Sequence, residues 1–88
     1  MSDAQRIVFG QNPNQAHHAF RYTDALGLAR NDVMGAIRAD LGPRLPWPAP
    51  PPRNAPVIGN VIVGGVWLRY RAFAVSEELV NVGSITRR

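Results

Sequence analysis

Cysteine and lysine are both absent from this chain of 88 residues. Without cysteine there can be no disulfide framework, no thiolate metal site and no cysteine nucleophile. Secreted domains of this size usually carry disulfides, so the chain is not typical of a domain that folds outside cells unaided. All ten basic residues are arginines, and the planar guanidinium of arginine matches phosphate better than the point charge of lysine does.

Long hydrophobic runs are also missing. No stretch approaches the roughly 20 apolar residues that cross a bilayer, and the first six residues lack the basic-then-apolar order of a signal peptide. We therefore expect no membrane contact, and we expect any export signal to belong to a longer parent protein. The length allows one domain, which we predict to span residues 1–88.

The positive charge lies in the second half of the chain. Residues 1–41 hold four arginines and four aspartates, whereas residues 42–88 hold six arginines and two glutamates, which accounts for the whole net charge of +4. Such a one-sided excess is typical of a nucleic-acid-binding face. A GC-rich genome, which encodes arginine in place of lysine, is the alternative, but it explains the arginine content better than its placement.

A first helix is predicted from Asn12-Pro13 onward. Asparagine is a good N-cap, and proline at the first helical position loses no useful donor. The helix should run to about Leu26, with Gly27 as a left-handed C-cap residue. Before it, residues 7–9 are expected to form a short strand or an apolar strap over the core.

A second helix should begin at an Asn31 or Asp32 cap and reach Leu41, where Gly42-Pro43 ends it. The two helices, over residues 12–41, would form a hairpin because few residues join them. Residues 43–56 contain seven of the eight prolines. We interpret this segment as a stiff connector, with Trp47 packed back on the core, although a proline-rich run can also be an SH3 ligand.

The hydrophobic period changes to two after residue 56. Two-residue periodicity and β-branched residues predict strands at residues 57–63, 66–75 and 79–85, the last extended by residues 86–87, with a hairpin turn at Gly64-Gly65. The sheet thus spans residues 57–87. The fold class is α+β: an N-terminal helical hairpin packed on one face of a C-terminal three- to four-stranded antiparallel meander.

The two histidines, His17 and His18, are adjacent on the first helix, so they point about 100° apart and cannot share one task. His17, Arg21 and Asp24 follow one flank at helical spacing, and Asp24 is placed to orient the imidazole. His18 and Tyr22 should point toward the far side. The residues alone favour an ordinary surface salt-bridge row; the functional interpretation is a histidine that transfers protons.

RNA supplies its own nucleophile, the 2′-OH. Its cleavage needs a base, a cation that stabilises the charged phosphorane, and an acid for the leaving oxygen. His17, Arg21 and the strand residues Arg69 and Arg71 could provide these without a metal. The histidines have no third ligand at zinc spacing, the aspartates are scattered, and there is no glycine-rich phosphate loop, so we expect no metal and no cofactor.

Trp67, Arg69, Arg71 and Phe73 alternate along one strand face, which suits the stacking of bases and the binding of phosphates. The alternative is that Trp67 and Phe73 belong to the core and the arginines lie at its rim. The choice between these two interpretations depends on which face of the strand packs against the helices, and the sequence leaves this open.

The residues also resemble a known group of sequences. The chain resembles the C-terminal toxin domains of bacterial polymorphic toxins of the Rhs and contact-dependent-inhibition types. The stretches that carry the resemblance are His17-x-x-Phe20-Arg21, Asp24-Ala25-x-Gly27-Leu28, Val33-x-x-Ala36-Ile37-x-x-Asp40-Leu41, Tyr70-Arg71-Ala72-Phe73 and Asn81-Val82-Gly83-x-Ile85. The order of helices and strands is similar to the barnase–EndoU–colicin–RelE ribonuclease fold. The resemblance covers roughly residues 9–87.

The resemblance implies a metal-independent endoribonuclease toxin used in competition between bacteria. It would be delivered within a larger secreted protein into the target-cell cytoplasm, and an acidic immunity protein would protect the producer. The catalytic residues carried over are His17, Arg21, Arg71 and Thr86. We expect further substrate contacts from His18, Arg69, Trp67, Ser84 and Asn81. The lack of lysine departs from relatives that use one.

Two other functions stay open. One is a non-catalytic module that binds nucleic acid through the same basic face. The other is a protein-interaction domain whose proline-rich segment docks on a partner.

Overall fold

A computed structural model of the chain describes residues 6–44, 56–76 and 78–88. Its elements in chain order are β1 (Arg6–Val8), α1 (Pro13–Ala25), α2 (Arg30–Leu41), a 3₁₀ turn (Gly42–Arg44), β2 (Val57–Val63), β3 (Val66–Ser76) and β4 (Leu79–Arg87). The strands form one sheet in the order β1-β4-β3-β2. Helix α1 packs against β4 and helix α2 packs against β2. The predicted α+β class, helices on a mostly antiparallel sheet, is confirmed.

The fourth strand is β1, one of the two forms predicted for this segment. It pairs with β4 in parallel, whereas β2, β3 and β4 are antiparallel to one another. The backbone N–H of Arg6 donates to the carbonyl of Glu78 at 2.9 Å. Parallel neighbours need a long connection, which the helices and the other two strands provide here.

The caps of α1 are as predicted. The side chain of Asn12 accepts a 2.9 Å hydrogen bond from the N–H of Gln15, and Pro13 is the first helical residue. Gly27 adopts the left-handed conformation at φ 76° directly after the C-cap residue Leu26.

The prediction that Asn31 or Asp32 caps α2 is wrong. The helix already begins at Arg30, and its N-cap, Ala29, makes no side-chain cap. The chain turns back at Gly27, so α2 begins directly after Ala29. The N–H groups of Asp32 and Val33 make the first hydrogen bonds of the helix, both to the carbonyl of Ala29 at 3.1 Å.

Helix α2 ends at Leu41 as predicted, and the 3₁₀ turn continues from Gly42. Residues 45–55 of the connector, including Trp47 and the Pro50–Pro52 run, lie outside the described residues. Within the part of the chain that the structure describes, no helix is long and apolar enough to cross a membrane.

The core lies between the helices and one face of the sheet. The fully or nearly fully buried side chains come from alternate strand positions and from one stripe of each helix: Phe9, Ala19, Phe20, Thr23, Val33, Ile37, Leu41, Val61, Val63, Leu68, Tyr70, Ala72, Ala74, Val80, Val82 and Ile85. The opposite face of β3 carries Trp67, Arg69, Arg71 and Phe73. Trp67 is 48% exposed, so the alternative that places it in the core is wrong.

Tyr70 is the largest fully buried side chain among the described residues. Its hydroxyl donates a 2.6 Å hydrogen bond to the carboxylate of Asp40, which Arg44 also contacts at 3.2 Å. Burial of the phenol, and then its bond to Asp40, raise the pKa of Tyr70 well above its ordinary value of 10.0. The buried neutral phenol thereby ties α2 to the centre of the sheet.

The raised pKa makes stability sensitive to alkaline pH. The folded protein keeps Tyr70 neutral while the unfolded chain ionises it, so this contribution is complete below about pH 10 and is lost as the pH rises further. Between pH 8 and pH 11, the free energy of unfolding of the wild type should fall by about 1.4 kcal/mol more than that of Tyr70→Phe. Urea unfolding of both proteins at pH 8 and pH 11 measures this; equal losses in the two proteins would contradict it.

Candidate active site

A cleft of about 390 Å³ separates α1 from the end of β4. Strand β1 pairs with β4 only at Leu79–Asn81, so β1 does not cover the later part of β4. The lining side chains and backbone of this α1–β4 cleft come from two elements: His18, Arg21, Tyr22 and Ala25 of α1, and Gly83, Ser84, Ile85 and Thr86 of β4. Both elements belong to the packed body of the fold.

Helix α1 presents its four cleft residues because they recur at i, i+3, i+4 and i+7, on one side of the helix. The adjacent stripe, Ala19, Phe20 and Thr23, is buried against the sheet. The hydroxyl of Thr23 donates to the carbonyl of Phe20 at 3.1 Å. The core stripe fixes the rotation of the helix and therefore the direction in which the cleft side chains point.

A β-bulge at Gly83 shapes the strand side of the cleft. Arg71 pairs with Ser84 but Ala72 pairs with Val82, which leaves Gly83 as an extra residue. Bulges re-aim the side chains that follow them and are common beside active sites. After this bulge, Ser84 and Thr86 lie on the face of the sheet away from the helices, and they border the cleft because β1 leaves this edge of β4 uncovered.

The cleft carries positive charge on a mostly apolar lining. Its residues include an imidazole, a guanidinium, a phenol and two hydroxyls, and none of the described lining residues is acidic. Directly opposite on β3, Arg71 pairs with Ser84 and Arg69 pairs with Thr86. Opposite residues in an antiparallel pair have Cβ atoms about 5 Å apart, so two more arginine side chains leave the sheet next to the hydroxyls. This arrangement suits an anion.

The predicted row of His17, Arg21 and Asp24 does not act as one unit. Arg30 holds Asp24 through two hydrogen bonds, of 2.6 and 3.1 Å. The hydrogen bond from Arg30 keeps the pKa of Asp24 below its ordinary value of 3.8. Asp24 is thus held by Arg30 and makes no hydrogen bond to His17, so its role in orienting that imidazole stays a prediction. His17 is exposed and does not line the cleft.

The structure brings four of the nine predicted site residues into the cleft: His18, Arg21, Ser84 and Thr86. Trp67 and Arg69 line a different depression, at the start of β3. Arg71 is exposed on the open face. Asn81 has a structural contact, because its side-chain oxygen accepts a 2.8 Å hydrogen bond from the N–H of Gly10.

Tyr22 was missed as a candidate. Our sequence interpretation turned His18 and Tyr22 toward the far side of the helix, but that side faces β4 across the cleft. Their spacing of four residues was the available signal, since it places both on the same side of the helix.

Across residues 6–44, 56–76 and 78–88 no group of three or more histidine, aspartate or glutamate side chains could hold a metal ion. The comparisons with protein-family models, with curated proteins and with solved structures find no match to this chain. The fold and the site therefore define the chain only as a small α+β domain with a basic cleft beside an open sheet face. Any functional assignment depends on the chemistry of that cleft.

Proposed function

We propose that this domain is a metal-independent endoribonuclease that cleaves RNA in the α1–β4 cleft. The observation that supports this best is that His18, Arg21, Ser84 and Thr86 line one cleft, in which none of the described lining residues is acidic. A phosphodiester is an anion, and its cleavage at the 2′-OH needs proton transfer and charge stabilisation, which these groups can supply.

The reaction assigns a role to five of the eight cleft residues. His18 takes the proton of the 2′-OH as its oxygen attacks the adjacent phosphorus. Arg21 stabilises the negative charge that develops on the phosphorane, and Ser84 and Thr86 donate hydrogen bonds to its non-bridging oxygens. Tyr22, the other proton donor of the cleft, protonates the 5′-oxygen as its bond to phosphorus breaks. The products are a 2′,3′-cyclic phosphate and a 5′-hydroxyl.

Delivery into a rival cell, as part of a larger secreted protein, extends this proposal. The supporting observations are the resemblance to polymorphic-toxin domains and the exposed arginines of β3 and β4. An acidic immunity protein would be attracted to that basic face and would associate rapidly with it. In cells, induction of the domain should stop growth, and co-expression of such a partner should restore it.

Product chemistry tests the proposed reaction. In EDTA, the purified domain should cut a labelled single-stranded RNA and leave 2′,3′-cyclic phosphate ends. It should leave uncut both the DNA of the same sequence and the RNA methylated at every 2′-oxygen, because neither carries the nucleophile. Cleavage of either control, a requirement for added metal, or intact RNA would overturn the proposal.

A non-catalytic RNA-binding module is the second candidate. The exposed Trp67 and the arginines of β3 favour it, because they form a binding surface that needs no chemistry in the cleft. This candidate predicts RNA that is bound with a steep salt dependence but stays intact.

A further inference from the structure

A second depression, of about 590 Å³, lies where β3 begins and β4 ends. Gly65, Val66, Trp67, Arg69, Arg87 and Arg88 line this Trp67 groove. We propose that the groove is a subsite for single-stranded RNA, in which Trp67 stacks on an unpaired base while the arginines bind the neighbouring phosphates. This inference rests on the proposed function, since it takes RNA as the ligand of the domain.

Trp67 presents a half-exposed indole ring. Its side chain is 48% exposed, while the next residue along the strand, Leu68, is fully buried and anchors the backbone. The guanidinium of Arg88 lies 5.2 Å from the centre of the indole ring, and the N–H of Arg88 donates to the carbonyl of Trp67 at 3.2 Å. A surface that already holds a planar cation can hold a planar base in the same way.

The turn before β3 leaves room beside the indole. Gly64 and Gly65 adopt left-handed conformations, at φ 56° and 79°, that strongly favour glycine. Nothing lies within 4 Å of the position that a Cβ of Gly65 would occupy. The hairpin therefore borders the groove with backbone and not with side chains.

The charge of the groove fits phosphate. Three of its six lining residues are arginines, and none is acidic. Among the described residues, the Nε of Arg69 is a buried nitrogen without a hydrogen-bond partner. Buried polar atoms are nearly always paired, and arginine binds phosphate through two parallel hydrogen bonds. Since the Nε itself is buried, a phosphate in the groove would accept hydrogen bonds from the outer nitrogens of the Arg69 guanidinium.

The groove adjoins the α1–β4 cleft. Arg69 lines the groove and Thr86 lines the cleft, and these two residues face each other across β3 and β4. One strand of RNA can thus lie in both depressions. Stacking on Trp67 requires a base that is splayed out of any helix, whereas a duplex keeps its bases paired inside. The groove therefore selects single strands.

Binding to a non-cleaving variant tests the subsite. His18→Gln should bind a labelled 12-nucleotide RNA more tightly than the same sequence as a blunt duplex, by fluorescence anisotropy. Adding Trp67→Leu should weaken single-strand binding roughly 5- to 150-fold, which is the usual effect of losing one stacked base. The double variant should also lose the preference for single-stranded RNA over the duplex. Ile58 is the matched control, because it is 45% exposed on the same open face of the sheet, yet it lies outside the groove and does not pair with Trp67. Ile58→Ala should leave binding unchanged.

Salt dependence tests the arginines. Arg87→Gln should lower the slope of log K against log salt concentration by about 0.7, the value for one phosphate contact on a single strand. Arg6→Gln removes the same charge at the other end of β4, where Arg6 pairs with Leu79, and should leave the slope unchanged. Equal slopes in the two variants would contradict a phosphate contact at Arg87.

The outcomes separate the two proposals. Trp67-dependent binding without cleavage by the wild type supports the subsite and overturns the nuclease. Cleavage by the wild type, with equal binding by the parent and by its Trp67→Leu derivative, overturns the subsite alone. A parent that binds no RNA, or that prefers the duplex, also overturns the subsite. Circular dichroism of each variant verifies that the sheet is retained.

Discussion

Replacing His18 with glutamine is expected to slow RNA cleavage by about 100- to 10,000-fold, the usual contribution of a general acid or base. His17→Gln should cleave at the wild-type rate. Both histidines are exposed, so neither substitution removes a core contact, and glutamine keeps a polar side chain of good helix propensity. Only His18 lines the α1–β4 cleft.

The adjacent pair makes a strict control. The centres of the two imidazole rings lie 6.1 Å apart, so both variants change the same patch of α1 in charge and composition. The two side chains point in different directions, because consecutive residues of a helix lie about 100° apart around its axis. Initial rates on a labelled single-stranded RNA, with thermal unfolding of each variant, give the comparison. Equal losses in the two variants, or a greater loss in His17→Gln, would contradict the role of His18.

Much of the fold could be predicted because its signals are local. Asn12-Pro13 begins α1, Gly27 ends it, and Gly64-Gly65 turns β2 into β3 at the expected register. Each depends on the backbone chemistry of a few residues. The parallel pairing of β1 has no such signal. It joins segments far apart in the chain, as does the hydrogen bond from Gly10 to Asn81, which are 71 positions apart.

The site was harder to predict because it depends on contacts between elements. Helical spacing correctly placed residues on shared stripes, but it could not show that Arg30, beyond the turn, takes the carboxylate of Asp24. Nor could it show which stripe of α1 faces β4. One signal was available in the strand: an isolated glycine such as Gly83 often marks a bulge. That bulge re-aims Ser84 and Thr86 and so forms the strand side of the cleft.

Gly59→Ala is expected to destabilise the fold by about 2–5 kcal/mol. Gly59 lies opposite Tyr70 in the β2–β3 pair, and a Cβ at this position would collide with the phenol ring. The ring cannot give way easily, because it is fully buried and its hydroxyl is bonded to Asp40 at 2.6 Å. The variant must therefore strain the sheet or lose that hydrogen bond. Domains of this size have a total stability of only about 4–13 kcal/mol.

The control is another glycine-to-alanine change, in the middle of α2. Gly35 is exposed and has nothing within 4 Å of an added Cβ, so Gly35→Ala should stabilise the protein by about 0.5–1 kcal/mol. Urea unfolding of both variants measures the difference. In a Tyr70→Leu background, where the ring is absent, Gly59→Ala should lose most of its effect; an undiminished effect there would exclude the ring as the cause. Since β3 separates β2 from β4 in the sheet, the folded fraction of Gly59→Ala should still cleave RNA, which separates the stability of the domain from the chemistry of its cleft.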